Sequence, residues 1–505
     1  MGASVTAYAV ENNLKILWLT RTGSQISHVS REINALPLYG RKMVCLHETV
    51  SKIDLRRFNH ACRATRVSGR CPYWPSIPRV LKPPLTSKDV REISRRIPAC
   101  PHDCLVLSLQ NSRLVAATHM QLNTIGWLLA KWKARKEKTI LMIDEGQHIL
   151  KNALNMTKDS ISLKTVEKAA KEASRYGFRE LGEEILKAVE EYKSKIQEDG
   201  EMEVEDILPD ADELSLAGEE IQEAKLKEGY VPASYILSLA DFKYSLGDGK
   251  PILVKEGRSY RLEVVEDPVE VLRRIYDGWY ATITMSATIS GEMIESFTGK
   301  NTVLLRAGWP FSEDNLTVRL VKGLTTKFES RDESLIDDIA WAIDIVASTK
   351  MKSLVFLPSH ELLKASISKV KNRGSLIVEE QGLSQEEVEE VVKNFMEDDK
   401  NVIVSVFNGR LAEGIDLSAN IVLCLGIPFS PPTVRQKMLL KKLTEILGDE
   451  KKARVYGQII PAVWSAIQAA GRAVRSENDY AIVFLVDDRY RALFRLLPRW
   501  FTERV

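Results

Sequence analysis

Near the C-terminal end, Gln468-Ala-Ala-Gly471-Arg472-Ala-Val-Arg475 places a glutamine, a glycine and two arginines at i, i+3, i+4 and i+7. On one helix those four share a face. An arginine fork grips phosphate oxygens through two parallel bonds and keeps its charge, so such a face suits a polyphosphate. A solvated basic helix carries the same pattern, and the upstream chain has to decide between the two. There the apolar run Thr139–Ile143 ends in Asp144-Glu145. An apolar strand that delivers two acids at its C-terminal end is a Walker B arrangement, in which the Asp holds Mg²⁺ and the Glu orients the attacking water.

A second chemistry is written in the cysteines. Five of the six, Cys45, Cys62, Cys71, Cys100 and Cys104, fall within the first 104 residues. Cys424, inside IVLCLGI, reads as a small buried hydrophobe. In a reducing cytosol a dense local set of thiols favours metal over disulfides. Four thiolates suit zinc or an iron–sulfur cluster. The missing CxxC knuckles tilt the reading toward iron–sulfur, although spacing leaves both open. Cys71 and Cys100 each precede a proline, which stiffens the loop around a ligand. Cys104 is an extra thiol, either a substitute for Cys100 or a spare on the following helix.

At 505 residues the chain should hold two to four domains. Its hydrophobic share of 44% and charged share of 28% are those of an ordinary globular protein. No apolar run reaches the roughly 18–20 residues of a membrane span. The opening MGASVTAYAVENN lacks a basic segment followed by a long apolar core, so the expectation is a cytoplasmic protein without membrane attachment. Net charge is only +2, but it is unevenly spread. Arg56, Arg57, Arg63, Arg66 and Arg70 crowd the N-terminal part, with Arg91, Arg95 and Arg96 following, while Glu198–Glu223 holds no Lys or Arg. A basic face of this kind can follow a nucleic-acid backbone.

The elements that must position these residues are short apolar strands ending in small or polar residues. Leu14–Leu19 runs into Thr20-Arg21-Thr22, and Leu114–Ala117 into Thr118-His119. Thr282–Met285 runs into Ser286-Ala287-Thr288, and Leu354–Leu357 into Pro358-Ser359-His360. Val402–Val406 leads to Arg410, Glu413-Gly414 and Asp416. In an open α/β sheet, ligands bind beyond the carboxyl ends of the strands, so these segments should converge. The ordered set resembles the superfamily 2 helicases, and within them the XPD/DinG group of iron–sulfur DNA helicases, most of all the compact archaeal XPD proteins. Thr20-Arg21-Thr22 is similar to motif Ia, Asp144-Glu145 to motif II and Ser286-Ala287-Thr288 to motif III. Leu411-Ala-Glu413-Gly414-Ile-Asp416 is similar to motif V and Gln468–Arg475 to motif VI. The segment Gly426-Ile-Pro428-Phe-Ser-Pro431-Pro432 and the contexts of Cys45, Cys62, Cys71 and Cys100 also match the group. The resemblance covers essentially the whole chain and is weakest between about 150 and 265.

The resemblance implies an α/β fold of two RecA-like motor domains, the first carrying an iron–sulfur insertion and a helical Arch insertion. Motor domain 1 would comprise 1–40, 105–150 and 265–308, the cluster domain 41–104, the Arch 151–264 and motor domain 2 309–505. Within the Arch, Val166–Ile196 follows a helical period, and Pro209 and Gly218 mark a loop or helix break in the acidic stretch. By the same resemblance, Cys45, Cys62, Cys71 and Cys100 would ligate a [4Fe–4S] cluster. Asp144 and Glu145 would handle Mg²⁺ and water, and Arg472 and Arg475 would act as arginine fingers. Gln468 and Gly471 would meet the nucleotide phosphates, and Glu413, Gly414 and Asp416 would couple them to strand movement. Thr20, Arg21, Thr22, Thr118 and His119 would contact the DNA strand, His119 either stacking on a base or standing as an ordinary polar residue at a strand end. The implied activity is ATP-dependent 5′→3′ unwinding of fork or junction DNA, in repair, by a monomer moving along a single strand.

One departure stands against this. The group's P-loop, GxxxxGK[ST], does not occur, and GDGKP at Gly247–Pro251 lacks its hydroxyl residue and spacing. Residues 1–10 resemble the helix that follows a P-loop, so the expectation is a chain that starts just downstream of its own Walker A motif. Gly146 and Gln147 also replace the Ala and His of the group's DEAH box. Two readings follow, a helicase whose start lies upstream and an ATPase-defective single-strand-binding paralogue that keeps the iron–sulfur domain. A third keeps the cysteines as a zinc site in a nucleic-acid-binding protein without a motor.

Overall fold

The computed structural model describes residues 2–74, 76–146, 159–264, 267–286, 291–380, 385–397, 401–407, 409–412, 418–430, 433–474 and 476–504. The chain divides into two compact units, 1–286 with 433–439, and 287–432 with 440–505.

The first unit begins its sheet with β1 (Lys15–Thr20), followed by helix α1 (Gly23–Ile33) and β2 (Leu36–Pro37). Residues 41–109 then carry the α-helices α2 (Arg41–Val44), α3 (Leu55–Val67), α4 (Ser87–Arg96) and α5 (Pro101–Leu109). Next come β3 (Leu114–Thr118) and β4 (Thr139–Ile143). An excursion follows, made of β5 (Asp159–Ser162), α6 (Leu163–Arg175), α7 (Arg179–Lys195), β6 (Gly200–Glu203), α8 (Ala211–Lys227), α9 (Tyr235–Leu246), β7 (Ile252–Glu256) and β8 (Ser259–Val264). The chain returns to the main sheet as β9 (Ala281–Thr284). The main sheet has the order β2-β3-β1-β4-β9 and is parallel throughout. Crossover connections cover a parallel sheet on both faces, which is why β4 is apolar and buried along its whole length rather than alternating.

The excursion differs from its sequence reading in three ways. Its helices pack on an antiparallel sheet of order β5-β8-β7-β6, which a helical period alone does not announce. The helical period over Val166–Ile196 is carried by two helices, because the chain turns at Gly177 with φ +97, a left-handed value that suits glycine. Pro209 precedes the N-cap Asp210, but no break occurs at Gly218, which lies inside α8. Its role is steric: a Cβ there would sit 2.6 Å from Leu237 Cγ, so the missing side chain lets α8 and α9 approach closely.

The second unit carries β10 (Leu316–Val321), β11 (Ser353–Leu357), β12 (Leu376–Val378), β13 (Val402–Val406), β14 (Ile421–Leu425) and β15 (Ala481–Val486), with α10 (Ile460–Ala470) against them. The order is β10-β15-β14-β11-β13-β12, again all parallel. Cys424 is fully buried in β14 and packs among apolar side chains, as expected of a small hydrophobe. Among the described residues no helix is long and apolar enough to cross a membrane.

The α6–α7 contact depends on Gly182, where a Cβ would stand 2.7 Å from the Ala170 carbonyl oxygen. Gly182→Ala should therefore cost about 1–3 kcal/mol through backbone displacement. Gly200→Ala, where a Cβ meets nothing within 4 Å, should be close to neutral. Urea unfolding of the two variants side by side checks this, and equal midpoints would contradict it.

Candidate active site and cysteine cavity

In the first unit the strand register gathers the sequence motifs at one edge. Thr20 of β1 pairs with Thr118 of β3, Leu19 with Ile143 of β4, and Ile143 with Thr284 of β9. The segments that follow these strands therefore emerge side by side. Asp144-Glu145 forms a tight turn tied down on both sides, with the Asp144 amide donating to the Leu19 carbonyl at 2.9 Å and the Gly146 amide to the Met285 carbonyl at 2.8 Å. Glu145 takes a left-handed backbone, φ +50, which is uncommon for a residue with a side chain and recurs at functional turns. Asp144 Oδ1 accepts the Glu145 amide at 2.9 Å. Burial, with the neighbouring Glu145 charge adding to it, raises the proton affinity of the Asp144 carboxyl.

Glu145 is held by a residue that the sequence reading did not single out. Gln25 Nε2 donates to Glu145 Oε1 at 2.7 Å. Its Oε1 accepts the amides of Arg21 and Thr22, each at 3.0 Å. Thr22 caps α1, and with Gln25 it closes a reciprocal capping box. The clue was present in sequence, because a Thr followed three residues later by Gln is a helix-start signature, but nothing there links it to an acid 120 residues away. Arg21 and Thr22 thus share one side chain with the acid expected to orient water.

Two of the expected strand contacts are placed otherwise. Thr20 is fully buried, and its hydroxyl bonds the Thr22 and Ala117 carbonyls. His119 is only 2% exposed, and its Nε2 donates to the Asp144 carbonyl at 2.9 Å. A buried ring in this position presents no face to a base; it braces the Asp144 turn from the β3 side. Arg21, Thr22 and Thr118 are half-buried.

In the second unit, α10 stops at Ala470 and Gly471 is its C-cap, with φ −69 and ψ −2. Gln468 is half-buried on the last turn, whereas Arg472 lies in the turn beyond, 9% exposed. Among the described residues, Gln468, Gly471 and Arg472 therefore do not form the single helical face expected of them. Glycine favours leaving the helix, and the Arg472 and Ala473 amides make only long bonds of 3.4 and 3.5 Å to Ala469 and Ala470. A turn closed by the Ser476 amide on Asp479 Oδ2 then directs the chain into β15. Arg475, Glu413, Gly414, Asp416, Gln147, Ala287 and Thr288 lie outside the described residues. The approach to motif V is set by Glu379, 5% exposed, whose carboxylate accepts the Ser405 hydroxyl and the Arg410 amide. Gly426 needs to be glycine: its φ is +94, and a Cβ would lie 2.8 Å from Pro358.

The cysteines meet in the first unit. Cys45 ends α2, Cys62 lies on α3, Cys71 follows the α3 terminus and Cys100 caps α5. All four line one cavity of about 360 Å³, its open mouth included, together with Arg41 and Arg66. Cys104 does not line it; it is fully buried, within reach of Ser94 and the Arg79 backbone. Burial pushes the Cys45 and Cys62 thiols up, and takes Cys100 to about 12, with Asp103 adding to the effect. The Arg41 and Arg66 charges oppose this at Cys62. Among the described residues no three of the His, Cys, Asp and Glu side chains converge on the position of a single ion.

Residues 10–166 match the DEAD_2 family model, and residues 342–504 match the helicase C-terminal domain model. The ATP-dependent DNA helicase XPD of Sulfolobus acidocaldarius is 25% identical over 419 residues, covering 78% of this chain and 73% of that protein. The ATP-dependent DNA helicase CHL1 of Debaryomyces hansenii is 21% identical over 597 residues, covering 94% and 72%. A solved XPD helicase structure superposes with a TM-score of 0.74 at 21% identity, covering 95% of this chain and 89% of its own. The chain belongs to the XPD/DinG-type superfamily 2 helicases.

Its two parallel sheets are the RecA-like halves of that helicase architecture. The DEAD_2 match spans β1, β3, β4 and the whole cysteine segment, and the C-terminal match spans β11 to β15. In this XPD/DinG-type chain the buried His119 couples the motif II turn to pH. Burial depresses its pKa from 6.5 to about 4, so the folded state resists protonation that the unfolded chain accepts. Its contribution to stability is complete above pH 6.5 and is lost as pH falls through 4, on the order of 3 kcal/mol. His119→Gln, which keeps a donor but does not titrate, should flatten the pH dependence of urea unfolding between pH 7 and 4. Identical slopes for variant and parent would show that the ring is protonated freely in the fold.

Proposed function

We propose that the chain is an ATP-dependent DNA helicase of the XPD type, moving 5′→3′ on single-stranded DNA and opening duplexes at forks or junctions, with a role in repair. The observation that carries this reading is the Asp144-Glu145 turn, fixed at the carboxyl edge of a parallel sheet and tied through Gln25 to Arg21 and Thr22. Asp144 would hold Mg²⁺, whose charge offsets the burial that otherwise favours its protonated form. Glu145 would orient water toward the γ-phosphate of ATP. Arg472 and Arg475 would stabilise charge developing on the phosphates, Gln468 and Gly471 would meet the nucleotide, and Glu413, Gly414 and Asp416 would link it to strand movement. Because Gln25 accepts from the Arg21 and Thr22 amides and donates to Glu145, a strand that displaced those amides would reposition the acid. That gives a short physical route for DNA to stimulate hydrolysis.

We further assign Cys45, Cys62, Cys71 and Cys100 to a [4Fe–4S] cluster. Four thiols spread around a cavity suit a polynuclear cluster, which separates its ligands by its own bulk, better than one tetrahedral zinc. Two guanidiniums beside them offset the charge of four thiolates. When bound, the cluster would supply a rigid cross-link between α2, α3 and α5. Cys100→Ser should remove most of the roughly four irons per chain and the brown colour. Cys104→Ala should keep both. Iron retained in the first variant, or lost in the second, would reverse the assignment.

The 505 residues contain no GxxxxGK[ST], so a second reading, a single-strand-binding paralogue without ATP hydrolysis, stays in play. The deciding experiment measures single-strand-stimulated ATP hydrolysis by this chain and by a version extended from the upstream DNA, each with and without Glu145→Gln. Under the helicase reading, the extended chain turns ATP over and Glu145→Gln lowers the rate at least about 100-fold while sparing strand binding. Near-normal turnover by Glu145→Gln would remove Glu145 from its role. Strand binding without hydrolysis in either form would establish the paralogue instead.

A further inference from the structure

Helix α6 carries Lys164, Lys168, Lys171 and Arg175 at i, i+4, i+7 and i+11, which places all four within one face. All four are exposed. The two acids of the helix are committed elsewhere. Glu167 pairs with Lys193 of α7. Glu172, 8% exposed, pairs with Lys225 of α8 and accepts the Ser234 hydroxyl at 2.9 Å and the Tyr235 and Ile236 amides at 2.7 and 3.0 Å. Among the described residues none of the four bases has an acidic partner.

Lys168, Lys171, Arg175 and Lys225 line a groove together with Glu172, Tyr176 and Tyr235. The Tyr235 ring lies 4.0 Å from the Arg57 guanidinium and 5.3 Å from Lys168 Nζ. Tyr176 is flanked by Arg175 at 5.7 Å and Lys225 at 5.8 Å, and its hydroxyl donates to Glu228 at 3.2 Å. With Glu172 neutralising Lys225, the charges of Lys168, Lys171 and Arg175 remain uncompensated. They do so in an insertion whose 198–223 segment is free of Lys and Arg, so the groove is a local feature and not a general excess of positive charge.

Cations in a row beside aromatic faces are the chemistry that holds single-stranded nucleic acid, phosphates on the bases of the protein and nucleobases on its rings. We propose that this groove is a second single-strand subsite, with the backbone along Lys168, Lys171 and Arg175 and a nucleobase against Tyr235. It is separate from the motor edge at Arg21 and Thr22, and it rests on the reading of the chain as a strand-handling protein.

The test is fluorescence anisotropy of a labelled oligothymidylate with the full chain, titrated across salt. The parent is compared with Lys168→Gln/Lys171→Gln/Arg175→Gln and with a charge-matched control, Arg179→Gln/Lys187→Gln/Lys250→Gln, whose residues do not line the groove. Binding by the groove variant should weaken roughly tenfold relative to the control, and its slope of log affinity against log salt should shrink by about 2. Equal affinity and slope in the two variants would overturn the subsite while leaving strand handling intact. No binding by the parent would overturn the strand-handling reading and the subsite with it.

Discussion

The motif II turn depends on how a parallel sheet presents its carboxyl edge. Asp144 and Glu145 leave a strand buried on both faces, so their backbone cannot be left to water and must be satisfied locally. The neighbouring strands supply the partners. Leu19 accepts the Asp144 amide, Met285 accepts the Gly146 amide, and His119 donates to the Asp144 carbonyl. A left-handed residue at Glu145 is tolerable only because it is held on both sides. The acid proposed to orient water is therefore placed by β1, β3 and β9 as much as by its own strand.

The cysteine segment obeys a different constraint. Its helices are short; Val50, Phe58, Ala61 and Cys62 form one apolar cluster with Ala233 of the insertion, and Val44, Leu81, Leu85, Val90, Leu105 and Leu109 are buried as well. The four thiols around one cavity are the proposed sites of a further cross-link between these helices. Ion pairing contributes at the rim, where Arg66 meets Asp103 at 2.8 Å and stacks over Trp74 at 3.8 Å. The same guanidinium that stabilises this corner also lies beside the thiols.

Close approach is the theme of the helical insertion. Gly182 and Gly218 read as helix weakeners, and both sit inside unbroken helices because a neighbouring backbone or leucine occupies the space of a side chain. Gly177 is the opposite case, a glycine required by its own φ. Three glycines in one insertion thus answer to two physical causes, and only the second acts through the local backbone. The exposed face of α6 shows the same dependence on neighbours, since its bases have no acidic partner among the described residues while Lys193 and Lys225 pair with its acids.

Much of this was legible in the residues alone. Runs such as TILMI and IVLCL are buried parallel strands, and their order along the chain, with the acids of β4 and the spacing of Cys45, Cys62, Cys71 and Cys100, pointed to the family. Apolar runs and local spacing are properties of the chain itself, so composition and pattern determine them. What the sequence could not contain were pairings across long separations. It could not show that Gln25 reaches Glu145, that His119 turns inward, that α10 ends before Arg472, or that Cys100 and not Cys104 faces the cavity. Each of those was decided by which strands become neighbours and how closely their helices pack, and the tertiary structure alone sets that register.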